Sequence, residues 1–86
     1  MWVFKGNGNF PAGVFSSKAK AAEAIAKYKL SGCLTLYPAD TLVYDWCIDN
    51  DFFTPKNERQ KTPKFIESFS SAYQEHYHYT DGEECA

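Results

Sequence analysis

The reading of L-Y-P-A-D-T-L-V-Y-D-W-C-I-D-N-D-F-F, residues 36–53, decides the fold. The stretch carries Asp40, Asp45, Asp49 and Asp51, no Lys or Arg, and the aromatics Tyr37, Tyr44, Trp46, Phe52 and Phe53. It must bury one side and turn its carboxylates to water, because an unpaired buried charge is too costly. Residues 41–50 read in two ways. With period two, Leu42, Tyr44, Trp46 and Ile48 share one strand face, opposite Val43, Asp45, Cys47 and Asp49. With helical period, Asp40 or Thr41 caps a helix, Val43, Trp46, Cys47 and Asn50 share a side, and Asn50-Asp51 is a left-handed stop. A cap and a stop at the right separation favour the helix.

Upstream, Cys33 to Tyr37 alternates as a strand ended by Pro38. Before it, a helix is expected over about residues 17–30, capped by Ser16-Ser17 and ended by Gly32 as left-handed terminator. Ala21, Ala22, Ile25, Ala26 and Tyr28 recur at three- and four-residue spacing as its buried face. Lys27 and Lys29 suit its C-terminal end, whereas Lys18 and Lys20 oppose the dipole at its start. Trp2 to Lys5 is a strand, stopped by the turn residues Gly6-Asn7-Gly8-Asn9, with Phe10 to Phe15 returning as the second arm of a hairpin.

Downstream, Thr54 to Lys61 is a polar connector. Thr62-Pro63 starts a short helix whose buried side is Phe65, Ile66 and Phe69. From Tyr73 the period becomes two, with Tyr73, Glu75, Tyr77 and Tyr79 on one side and Gln74, His76, His78 and Thr80 on the other. That is a last strand, closed by Asp81-Gly82. The sum is an α+β fold: a small, mostly antiparallel sheet of three to four strands, with one long helix and one or two short ones packed on it. Residues 1–82 are expected to form one globular domain, with 83–86 as a frayed tail.

Eighty-six residues make one domain and leave no room for a second core. Seven Phe, six Tyr and two Trp supply the buried area. Each buried aromatic removes roughly 150–250 Å² from water. The formal charge of −2 excludes a uniformly basic nucleic-acid coat. Three cysteines, Cys33, Cys47 and Cys85, are odd in number, and two lie in apolar runs, which favours free thiols in a reducing compartment. Neither a leader pattern nor an apolar run long enough to span a bilayer occurs, so a cytoplasmic protein without membrane contact is expected.

Each chemical constellation has a plainer explanation. His76 and His78 share a strand side and offer two metal ligands, but no Cys or His at supporting spacing completes a set, so no metal or other cofactor is expected. Cys33 or Cys47 with His76 or His78 forms a nominal nucleophile pair, yet both thiols sit among apolar residues without a nucleophile turn; no catalytic set is assigned. Gly6-Asn7-Gly8 follows a strand but opens no helix, so it is a hairpin turn rather than a phosphate loop. Lys18, Lys20, Lys27 and Lys29 on the first helix, and Lys56, Arg59, Lys61 and Lys64 in the connector, are basic clusters able to touch phosphates or simply to be solvated.

The acidic residues Asp40, Asp45, Asp49 and Asp51, interleaved with Tyr44 and Trp46, make the most suggestive set. Charges steer encounter with a basic partner while desolvated aromatics carry binding energy. Against this stands the need of a small chain for both rings in its core.

The blocks W-V-F-K-G (2–6), F-P-A-G-V-F-S-S (10–17), S-G-C-L-T-L-Y-P (31–38), V-Y-D-W-C-I (43–48), F-F-T-P-K (52–56) and F-S-S-A-Y-Q-E-H-Y-H-Y (69–79) together resemble a small stand-alone bacterial domain family of unknown function. Sequences of that kind commonly carry Gly in the place of Asp51 and Ala in the place of Cys47. The resemblance implies a cytoplasmic accessory protein, and small proteins of this sort often accompany toxins as immunity proteins. Residues 2–37 also resemble the RNA–DNA hybrid-binding domain that precedes some ribonucleases H, although its basic character is missing here. The expected function is therefore a non-enzymatic binding protein, most concretely an immunity protein that occludes a basic toxin domain through Asp40, Asp45, Asp49, Asp51, Tyr44 and Trp46. The alternative is a nucleic-acid module that uses Lys18, Lys20, Lys27 and Lys29.

Overall fold

A computed structural model describes residues 1–85. The chain packs as two compact units, Met1–Tyr37 with the segment from Gln74 onward, and Pro38–Tyr73. The architecture is α+β, with an antiparallel sheet and three α-helices among the described residues.

The first unit holds the whole sheet: β1 (Trp2–Lys5), β2 (Gly13–Phe15), β3 (Gly32–Leu36), β4 (His76–Thr80) and β5 (Glu83–Glu84), in the order β2-β1-β3-β4-β5. Its register sets Trp2 opposite both Phe15 and Leu36, Phe4 opposite Leu34, and Leu34 opposite Tyr77. Helix α1 (Lys18–Tyr28) covers this apolar face. Ala21 and Ile25 from the helix, with Phe4, Leu34 and Tyr79 from the sheet, form the core, and Trp2, Phe15, Leu30 and Tyr77 close its rim. The small side chain of Ala21 lets the helix lie close to the strands, as the spacing of its residues predicts.

Ser17 caps α1, accepting from the Lys20 amide at 3.2 Å. The terminator, however, is Lys29 and not Gly32. Lys29 takes the left-handed conformation (φ 53°), and the Leu30 amide reaches back to the Ile25 carbonyl at 2.9 Å. That closes the helix end and drops Leu30 against the core, the hydrophobic contact such an ending favours. Gly32 serves a different need. A Cβ there would collide with the Lys5 carbonyl oxygen and would lie 2.8 Å from Phe4 Cζ and 2.9 Å from Gly6 Cα. Only glycine lets β1 and β3 approach so closely. Ala26 and Tyr28, expected on the buried face, are exposed; Tyr28 is the last helical residue and Lys27 Nζ lies 5.1 Å from its ring centroid.

Two further expectations are corrected. The sheet has five strands rather than three or four, because the tail expected to fray pairs as β5 against Tyr79 and Thr80. A two-residue turn, Asp81-Gly82, with both residues at positive φ, sets up this hairpin. The Gly82 amide donates to the Leu30 carbonyl at 2.8 Å and ties the turn to the end of α1. Ala86 lies outside the described residues. The strand expected from Tyr73 is β4, which begins at His76, and Tyr73 is no part of it.

The second unit is built on α2 (Val43–Asp49) and α3 (Pro63–Glu67), with a 3₁₀ turn at Glu58–Lys61. Thr62 caps α3, accepting from the Phe65 amide at 3.3 Å. Pro63 fills the first helical position, as expected of Thr-Pro. Tyr44, Phe53, Phe65 and Phe69 cluster with ring centroids from 4.9 Å to 6.3 Å apart. They make an aromatic core for a unit too small for an aliphatic one.

Candidate functional site

Residues 43–49 are helical, so the acidic stretch takes the second of its two readings. The cap differs from expectation. Leu42 stands at the N-cap with no side-chain hydrogen bond, and neither Asp40 nor Thr41 caps the helix, since Asp40 is turned to positive φ (58°). The stop is as expected: Asp51 is left-handed (φ 61°), the Asn50 side chain donates to the Trp46 carbonyl at 2.8 Å, and the Phe52 amide reaches the Cys47 carbonyl at 2.8 Å. A residue other than glycine at this position is tolerated best when it is Asn or Asp.

The helix divides the expected site residues. Tyr44 is buried at 7 % exposure, its hydroxyl donating to the Gln60 carbonyl at 2.8 Å and its ring set in the aromatic core. It is therefore structural and is removed from the contact set. Cys47, on the same helix, is buried too. Asp45 and Asp49, one helical turn apart, are exposed, as are Asp40 and Asp51. None of the four takes part in an ion pair among the described residues.

Trp46 is half-buried, and its ring leans on Phe52 with centroids 5.5 Å apart. Phe52 in turn stacks on Tyr73, centroids 4.5 Å apart and planes within 1°. Phe52 is 42 % exposed and Tyr73 66 %, so the Trp46–Phe52–Tyr73 ladder is partly open to water. The sequence reading missed Tyr73 by assigning it to a strand, and counted Phe52 only as one aromatic among five. The same unit thus exposes a partly open aromatic ladder, tilted 44° between Trp46 and Phe52, and the unpaired carboxylates Asp45 and Asp49 of α2.

The lysines of α1 do not act together. Lys18 Nζ lies 3.0 Å from Glu84 and 3.4 Å from the Tyr77 ring centroid. The Glu84 hydrogen bond raises its pKa above the usual lysine value. This pairing offsets the unfavourable position of a cation at a helix start. Lys20 and Lys27 line one shallow groove with Phe15, Ala24 and Tyr28, although Glu23 sits among them. Lys29 is the left-handed cap.

On the sheet face away from α1, His76 and His78 lie side by side with ring centroids 5.5 Å apart, and His76 Nδ1 is 2.8 Å from the Gln74 carbonyl. No group of three His, Cys, Asp or Glu able to hold a metal ion occurs among the described residues. Cys33, Cys47 and Cys85 are all free.

The profile of a family described as "Domain of unknown function (DUF7710)" matches residues 1–85. The chain belongs to the DUF7710 family. That membership agrees with the small uncharacterised family implied by the sequence blocks, and it spans both units of the DUF7710 fold, sheet and acidic helix alike. No curated protein and no solved structure matches the chain. No helix among the described residues is long and apolar enough to cross a membrane.

Proposed function

We propose that this chain is a non-enzymatic binding protein that grips a basic protein surface through Asp45, Asp49 and Asp51 and the Trp46–Phe52–Tyr73 ladder. The observation that carries this reading is the exposed, parallel stack of Phe52 on Tyr73, in a unit that also exposes four carboxylates without cationic partners among the described residues. Exposed aromatic area is what hot spots use, and unpaired carboxylates raise the rate of encounter with a cationic partner. In its most concrete form the partner is a toxin domain with a cationic, phosphate-binding active site, and the chain is its cytoplasmic immunity protein.

The test uses tagged full-length chain as bait in the native host, with D45A/D49A and F52A/Y73A as parallel baits. A protein retained by the wild type and lost from both double variants supports the reading, and its association rate with the wild type should fall steeply with added salt. Equal retention by all three baits would overturn the assignment of the site.

The second reading, a nucleic-acid module, is supported by the groove that brings Lys20 and Lys27 together with Phe15 and Tyr28. Filter binding to single- and double-stranded DNA, RNA and hybrid at low salt decides it. Retention that K20A/K27A abolishes would favour it, and no retention removes it.

A further inference from the structure

The polar connector of the second unit is an ordered structure rather than a solvated loop. Gln60 pins it on three sides: its side-chain oxygen accepts from the Lys56 amide at 2.8 Å, its amide donates to Asn57 Oδ1 at 3.1 Å, and its carbonyl receives the Tyr44 hydroxyl. A little further along the chain, the Thr62 hydroxyl donates to the Arg59 carbonyl at 2.8 Å and accepts from the Phe65 amide. On α3 the Ser68 hydroxyl donates to the Lys64 carbonyl at 2.9 Å.

These residues enclose a groove of about 320 Å³ lined by Arg59, Thr62, Lys64, Phe65 and Ser68. Both hydroxyl groups donate to backbone carbonyls, so Arg59 and Lys64 are the groups in the lining left free to bind, with Phe65 as its apolar part. Neither Arg59 nor Lys64 takes part in an ion pair among the described residues. A forked guanidinium, a point-like ammonium and a half-buried aromatic ring line the same groove. The charges suit a dianion with several acceptor oxygens, and the ring suits an apolar or aromatic body attached to it.

We propose that this groove is a binding site for a small phosphate monoester carried on an aromatic ring. The Arg59 guanidinium and Lys64 ammonium hold the phosphate, and Phe65 packs against the ring. A carboxylate has one charge for two cations and is the weaker fit; inorganic phosphate satisfies the cations but leaves Phe65 uncovered. The backbone bonds that fix residues 56–62 mean little ordering is needed when the ligand enters. The site is separate from the acidic face of α2, so its success or failure leaves the proposed protein contact untouched.

The test is an amide chemical-shift titration of the full chain with phenyl phosphate, inorganic phosphate and benzoate. Phenyl phosphate should shift the signals of Arg59, Thr62, Lys64, Phe65 and Ser68 saturably. Inorganic phosphate should bind at the same place at least about threefold more weakly, with benzoate weaker again. R59Q/K64Q should lose at least about tenfold in affinity for phenyl phosphate while the remaining spectrum stays in place. Non-saturating shifts, shifts spread equally over Lys20 and Lys27, tightest binding by benzoate, or unchanged affinity in R59Q/K64Q would each overturn the proposal.

Discussion

The rings of Phe52 and Tyr73 lie parallel with centroids 4.5 Å apart, yet 42 % and 66 % of these residues is exposed. Such a pair stabilises its own fold modestly, because much of its apolar area is never removed from water. A double-mutant cycle of F52A and Y73A on urea unfolding should give a coupling of about 0.5–1.5 kcal/mol. The same variants should weaken partner binding by more than about tenfold, the range of a hot-spot residue. A large stability loss with unchanged binding would make the ladder a core feature instead.

Asp45 and Asp49 are like charges one turn apart on an exposed helix face, an arrangement that costs an isolated helix about 0.2–0.5 kcal/mol. Replacing Asp49, which also lies at the negative C-terminal end of α2, by Asn should therefore leave thermal stability unchanged or slightly raised. A melting temperature lowered by several degrees would mean that the carboxylates have a structural role.

Gly32 brings β1 and β3 together where a side chain would meet backbone on the neighbouring strand. G32A should cost about 1–3 kcal/mol in chemical denaturation, the cost of overpacking a site that cannot give way. A wild-type midpoint in this variant would contradict the packing described for the first unit.

Three groups around β4 and β5 share one pH direction. Burial raises the pKa of Tyr79, the hydrogen bond to Glu75 raises that of Tyr77, and the Glu84 hydrogen bond raises that of Lys18. A folded-state pKa above the unfolded value gives stability that is complete below the unfolded pKa and is lost as pH rises through the folded one. The ordinary values are 10.0 for Tyr and 10.5 for Lys. Stability from these groups should therefore be flat at neutral pH and fall above about pH 10. Y79F keeps the ring and removes the titration, so its urea midpoint should fall less steeply over that alkaline range. Equal slopes for Y79F and wild type would remove Tyr79 from the account.

Local chemistry made much of this fold legible. Ser17 and Thr62 read as caps and are caps; Pro63 reads as a first helical residue and is one; and residues 43–49 carry a stop that tips an ambiguous pattern to helix. Some failures were local, such as the N-cap of α2 and the exposure of Ala26 and Tyr28, and others were decided by partners distant in sequence. Gly32 looks like a helix terminator, but β1 needs it, and nothing near Gly32 announces that strand. Glu83-Glu84 reads as a tail although Asp81-Gly82 is a hairpin signal that pairs it with Tyr79 and Thr80; only its cation, Lys18, is distant in sequence. The candidate site divided in the same way. Helical period puts Val43, Trp46, Cys47 and Asn50 on one side, whereas the structure buries Tyr44 with Cys47 and exposes Asn50; that choice, like the meeting of Phe52 with Tyr73, depends on tertiary contacts that no spacing rule contains.

The association rate of the captured partner with wild type and D45A/D49A, measured over a series of salt concentrations, tests the central claim most directly. The account predicts a wild-type rate that falls with salt, and a slower rate with a much shallower salt dependence in D45A/D49A, at unchanged fold. Coincident curves for the two proteins would contradict it.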